Sequence, residues 1–138
     1  MTLFPSVRFG LEAALVESVS SLLDHSIWKD SGSPIKSNTL HICGLLSSPD
    51  DVSSALEEAE RLLQRGYGGM KIKVGRSEVE KDIQVVRAIR ERFGPNLVVR
   101  CDANRAWTLG EALKFANGVK DCNIEFIEEP VKTLEDLK

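Results

Sequence analysis

The sequence predicts an α/β fold built from parallel βαβ units, and three observations predict it. From residue 39 onward, short apolar runs alternate with stretches of helical periodicity. Pro, Ser, Thr and Asp precede the helical stretches, and Gly or Gly-Pro closes the first two of them. Strands that alternate with helices of this length need crossover connections, which are right-handed in parallel sheets.

Each element can be justified in turn. Val7 to Asp24 places Leu11, Ala14, Leu15, Val19, Leu22 and Leu23 at amphipathic helical spacing, and residues 25–38 look like a connecting loop. Thr39 to Leu46 is an apolar strand that runs into Ser47-Ser48-Pro49-Asp50-Asp51, a loop with a helix-start signal. Val52, Ala55, Leu56, Ala59, Leu62 and Leu63 form one helical face, and Gly66 stops it. Gly69 to Val74 is the second strand. Ser77 and Glu80 have capping-box spacing ahead of a helix striped by Val79, Ile83, Val86, Ile89 and Phe93, which Gly94-Pro95 ends. Leu97 to Asp102 is the third strand, and Thr108 with Glu111 repeats the capping box before a helix carrying Ala112, Leu113, Ala116 and Val119. Ile124 to Glu128 is the fourth strand. The division that follows is 1–38 and 39–138.

Composition narrows the function. A net charge of -3, from 18 Lys plus Arg against 21 Asp plus Glu, argues against a nucleic-acid binder, which needs a basic surface. No apolar run reaches the 18–20 or so residues that span a bilayer, so no membrane role is expected. Met1-Thr2-Leu3-Phe4-Pro5 has neither a secretory pattern nor a transit-peptide pattern, which on its own implies a cytoplasmic chain. Cys43, Cys101 and Cys122 are odd in number and lack metal-ligand spacing, so they are expected to be reduced core residues. His25 and His41 have no partner at zinc spacing and are expected on the surface and in a strand.

The chemistry sits at the strand ends. Period-two alternation points Lys71 and Lys73 one way, together with Arg100, Asp102 and Asn104 on the next strand, while Ile72 and Cys101 point toward the helices. Polar groups at the carboxyl ends of parallel strands face the place where ligands bind, in closed barrels and open sheets alike. Any one of them alone is more often a solvated loop residue or an ion pair. Three successive strands delivering them at one level is harder to dismiss, and two neighbouring lysines call for a carboxylate or an anionic ligand. Asp102 and Glu128, both oxygen donors, suit a hard cation such as Mg²⁺. A lysine beside another lysine and a divalent cation is expected to have its pKa lowered toward the range of a general base. Together these parts describe abstraction of a proton next to a carboxylate with metal stabilisation of the enolate. Glu129 should turn away from Glu128 into an outer ion pair, and Trp107 is expected to pack.

Lys71-Ile72-Lys73-Val74-Gly75, Asp102-Ala103-Asn104-Arg105-Ala106-Trp107-Thr108 and Ile127-Glu128-Glu129-Pro130 resemble, in order and spacing, the muconate-lactonizing subgroup of the enolase superfamily. Within it the chain is most similar to o-succinylbenzoate synthases, in particular the plant synthase module, and Phe4 to Glu12 matches the segment ahead of their barrel. The resemblance implies the first four units of a (β/α)8 barrel over 39–138, preceded by the end of a capping domain over 1–38. It implies a Mg²⁺- or Mn²⁺-dependent dehydratase of phylloquinone or menaquinone biosynthesis acting on a small carboxylate. Lys73 would be the general base, Lys71 the residue that tunes it, and Asp102 and Glu128 metal ligands. Arg100 and Asn104 would contact substrate or support the metal. A plant version would be chloroplastic. The family's third metal ligand and second catalytic lysine would lie beyond Lys138, so no useful turnover is expected from this chain by itself, and association through unpaired barrel edges is. Two alternatives stand beside this reading: part of a dipeptide epimerase or N-acylamino acid racemase, and a truncated product without catalysis.

Overall fold

A computed structural model describes residues 4–24, 42–47 and 51–137. The chain divides between Leu40 and His41 into two compact units. In the first, helix α1 spans Pro5–Leu22, and Pro5 at its first position costs no hydrogen bond because that N–H has no helical partner. Arg8 Nε donates to Glu12 Oε1 one turn on (2.7 Å). The helix starts two residues earlier than its periodicity suggests. Its apolar residues also spread past one stripe, because Phe9 and Val16 lie opposite Leu11 and Leu22. Residues 25–41, with both histidines and the start of the first predicted strand, lie outside the described residues, as do Ser48 to Asp50.

The second unit consists of β1 (Cys43–Leu46), α2 (Val52–Gln64), β2 (Gly69–Lys73), α3 (Val79–Phe93), β3 (Val98–Asp102), α4 (Leu109–Val119) and β4 (Ile127–Glu128). The strands form one parallel sheet in the order β1-β2-β3-β4. Sequence order kept across the sheet, with the helix layer on one face, is the pattern of a barrel wall; a doubly wound sheet reverses its order.

That helix layer makes the core. Leu46, Met70, Ile72, Val99 and Cys101 point into it and are essentially inaccessible, as are Ala55 and Ala59 of α2 and Val86 and Ile89 of α3. A Cβ on Gly44 would stand 2.9 Å from Leu62 Cδ2, so the bare backbone is what lets α2 lie close to β1. Burial pushes the Cys101 thiol up to about 12, which leaves it unreactive. Cys122 is buried too, but Cys43 is only half-buried because it faces the other side of the sheet.

Local sequence chemistry explains most of the helix ends. Asp51 caps α2 by accepting from the Ser54 N–H (2.8 Å), and Thr108 and Glu111 form the expected reciprocal cap on α4. Gly66 and Gly94 adopt the positive φ that ends α2 and α3.

Three expectations need correction. Ser77 and Glu80 form no capping box: Glu78 is the N-cap, Ser77 donates to Asp82 Oδ1 (3.3 Å), and Glu80 pairs with Lys114 on α4. The inner face of α4 centres on Phe115, fully buried against Trp107 at 4.6 Å between ring centroids, while Leu113 and Ala116 are exposed. Finally, β4 holds only two residues, and ahead of it only the Glu125 N–H, donating to Val99, and the Phe126 carbonyl, accepting from Cys101, bond to β3.

Candidate active site

Three strands deliver the charged groups. The β2–β3 register places Lys71 beside Arg100 and Lys73 beside Asp102, and β4 sets Glu128 beside Asp102. Since the alternate residues are committed to the helix layer, these side chains all emerge on the opposite face.

At the carboxyl end of that face five residues converge. Lys73 Nζ donates to Asp102 Oδ2 (2.6 Å) and to Asn104 Oδ1 (2.7 Å). Lys71 Nζ donates to Glu128 Oε2 (2.6 Å) and lies 2.9 Å from Asp102 Oδ2. Asp102 Oδ1 accepts from the Asn104 N–H (3.1 Å), and Asn104 itself takes a left-handed backbone (φ 47°). Asp102 is 2% exposed, while Glu128 at the sheet edge is 45% exposed. The buried carboxylate therefore carries the strongest field and the outer one stays accessible.

The electrostatics follow from this geometry. Burial pushes the Asp102 carboxyl up, but bonds from Lys73, Lys71 and the Asn104 N–H outweigh it and hold it at about 2. The hydrogen bond of Lys71 to Glu128, and then that to Asp102, raises its pKa, since two carboxylates favour the ammonium more than burial opposes it.

Arg100 lies one step below the cluster. Its guanidinium binds Glu125 (Nε to Oε2, 2.5 Å) and lies 5.2 Å from the centroid of the Phe126 ring, so the structure does not bring it to Lys73 and Asp102. Glu129 pairs with Arg105, as alternation predicts. Trp107 packs, and its indole N–H has no acceptor among the described residues.

Sequence reasoning missed Asp82. This carboxylate, 8% exposed, accepts from the Gly75 N–H (2.8 Å) and from Ser77, tying down the loop that follows Lys73. Burial raises its pKa against those two bonds. The available signal was a short acid five residues after a serine, in the first turns of a helix where N–H groups cluster. Gly75 itself has φ 79°, and a Cβ there would meet Ala106 Cβ at 2.7 Å.

Asp102 and Glu128 offer only oxygen, and their Oδ2 and Oε2 atoms both lie within 3 Å of one cation, the Lys71 ammonium. That donor set fits a hard divalent ion completed by water or substrate oxygens. Among the described residues no group of three or more acidic, His or Cys side chains is arranged to hold a metal ion.

Parallel βα units with lysines and carboxylates grouped at the strand ends define a parallel α/β domain of the barrel class. Residues 54–138 match the family described as enolase C-terminal domain-like, and the chain belongs to that family. It is 36% identical over 144 residues to Protein PHYLLO, chloroplastic, of Arabidopsis thaliana, covering 99% of this chain and 8% of that protein. A solved o-succinylbenzoate synthase from Thermosynechococcus elongatus, complexed with Mg in its active site, is 27% identical (TM-score 0.63; 75% of this chain, 33% of that one). A dipeptide epimerase from Enterococcus faecalis, solved with Mg and the dipeptide L-Leu-L-Tyr, is 39% identical (TM-score 0.62; 70% and 28%). The chain thus spans about a third or less of these relatives, and its four units are a partial barrel. No helix among the described residues is long and apolar enough to cross a membrane.

Proposed function

We propose that this chain contributes the first half of the active site of an o-succinylbenzoate synthase-like dehydratase in phylloquinone or menaquinone biosynthesis, working in the chloroplast. The observation that carries the reading is Lys73: its Nζ sits on Asp102 and Asn104 at the open end of the sheet, held by two strands and aimed where a bound carboxylate would lie. Lys73 would take the proton alpha to the substrate carboxylate and return it to the departing hydroxide. Lys71 would keep the local charge balanced. Asp102 and Glu128 would hold Mg²⁺ or Mn²⁺, and Asn104 would orient Lys73. The bound ion supplies charge stabilisation for the enolate that develops. Arg100, through Glu125, would shape the floor beneath the substrate. The match to the plant chloroplast protein runs along nearly the whole chain, ahead of the barrel as well as within it, and favours this branch.

The epimerase reading has its own support in the 39% identity to the Enterococcus enzyme. The test uses the longest polypeptide that carries this sequence, with Mg²⁺, offered in turn the cyclohexadiene carboxylate substrate of o-succinylbenzoate synthases and L-Leu-L-Tyr. Dehydration that falls roughly 10²–10⁴-fold in Lys73→Ala supports the proposal, that being the range of a lost general base. Epimerisation without dehydration, or dehydration that survives Lys73→Ala, overturns it.

A further inference from the structure

Past the ends of β3 and β4 the two segments stay joined. Asn104 and Arg105 are left-handed (φ 47° and 62°), and so is Glu129 (φ 42°). Such a backbone on both of two neighbouring strand ends persists only where surrounding contacts over-determine it. Here they do. The Arg105 N–H donates to the Glu129 carbonyl (2.7 Å), and the Arg105 guanidinium holds Glu129 Oε1 through Nη2 (2.5 Å) and Nε (3.1 Å). The groups of the cluster are immediate neighbours of this grip. Ala103 N–H donates to the Glu128 carbonyl (3.1 Å), and Asn104, adjacent to Arg105, holds Lys73 through its side chain.

We propose that Arg105 and Glu129 are positioning residues, a clamp that sets the spacing of Glu128, Asp102 and Lys73 and thereby the affinity of the two carboxylates for a divalent cation. The proposal rests on the functional reading above. The Glu129 carboxylate is committed to Arg105, so it acts through Glu128 and is not itself a ligand. Both side chains are well exposed, and exposed ion pairs contribute little to global stability. The signature of the clamp is therefore a change at the site without a matching change in stability.

The test takes Glu129→Ala, Glu129→Gln and Arg105→Ala in the longest polypeptide carrying this sequence, with Arg92→Ala as a control that removes the exposed Arg92–Glu60 pair. Three quantities are measured: Mn²⁺ affinity by electron paramagnetic resonance, the rate at which an amine-specific acylating reagent labels Lys73 without metal at fixed pH, and the melting temperature. Expected are Mn²⁺ binding roughly tenfold weaker in the two alanine variants, the lower end of what losing a partner behind a metal ligand costs, and faster labelling of Lys73. Glu129→Gln, which keeps an acceptor, should fall between them and the parent, and the melting temperature should move no more than in the control. If Glu129→Ala does not fold, Arg105→Ala tests the same contact. Labelling unchanged in the alanine variants, or losses that follow the melting temperature, overturns the clamp. A parent that binds no Mn²⁺ defeats the functional reading, and the metal-free labelling then decides the clamp alone.

Discussion

The same strands carry two very different faces. On one, Leu46, Met70, Ile72, Val99 and Cys101 pack against three helices with essentially no exposure. On the other, Leu45, Val98 and Phe126 are about 40–50% exposed, and the charged cluster sits at one end. Adjacent residues therefore live in opposite environments: Ile72 lies between two lysines and Cys101 between Arg100 and Asp102. Apolar burial is concentrated on the first face and the charged groups on the second, separated by the period of two in a strand. A site built this way can change its polar residues without disturbing the layer that holds it.

Substitutions on either side can break or sharpen that contrast. The largest effect is expected from Phe115→Ala, which empties the helix-side core beside Trp107 and should cost about 3–5 kcal/mol, as Phe truncations in cores do, read by urea denaturation. Asp102→Asn leaves Lys71 and Lys73 side by side with one partner fewer and should cost about 1–3 kcal/mol near neutral pH. Its pH dependence is the sharper test. Because the folded pKa of Asp102 is depressed to about 2, its ionised form contributes stability that is complete above the ordinary value near 4 and lost as pH falls toward 2. The gap in melting temperature between parent and Asp102→Asn should thus close across that window and stay constant from pH 5 to 7.

Gly75→Ala comes next, at about 1–2 kcal/mol for forcing an L side chain into φ 79°, with the approach to Ala106 Cβ adding to it. Hydrogen exchange at the Gly75 amide would show whether the bond to Asp82 loosens with it. The smallest effect is expected from Leu45→Ser on the open face, under about 0.5 kcal/mol in this chain by the same denaturation. A loss as large as that of Phe115→Ala would mean that the two faces do not divide the labour as described.

Much of this was legible in the sequence for a physical reason. Alternation along a strand is a local property, so Lys71, Lys73, Asp102 and Glu128 could be assigned to one face before any coordinates. Repeating helical faces located α2, α3 and α4. Illegible were the choices settled by long-range partners. Ser77 and Glu80 have the spacing of a capping box, but Asp82 and Lys114 compete for them and win. The face of α4 is set by one large ring, Phe115, which turns Leu113 and Ala116 outward while Ala112 and Val119 of the expected stripe still pack. The direction of the Lys71 shift depended on two carboxylates reaching the same ammonium, and no spacing rule reports that.

The register of β2 against β3, with Lys73 opposite Asp102, bears on how this sheet finds its pairing during folding. If β2 turned over by sliding a single residue, Ile72 would face solvent and both ammonium groups would be driven into the dry layer beside Ala59 and Val86. Such a mispaired state is penalised twice, by lost apolar burial and by stranded charge, so the native alignment is strongly preferred over it. The pair of lysines flanking an isoleucine therefore encodes the register of β2 within the strand itself.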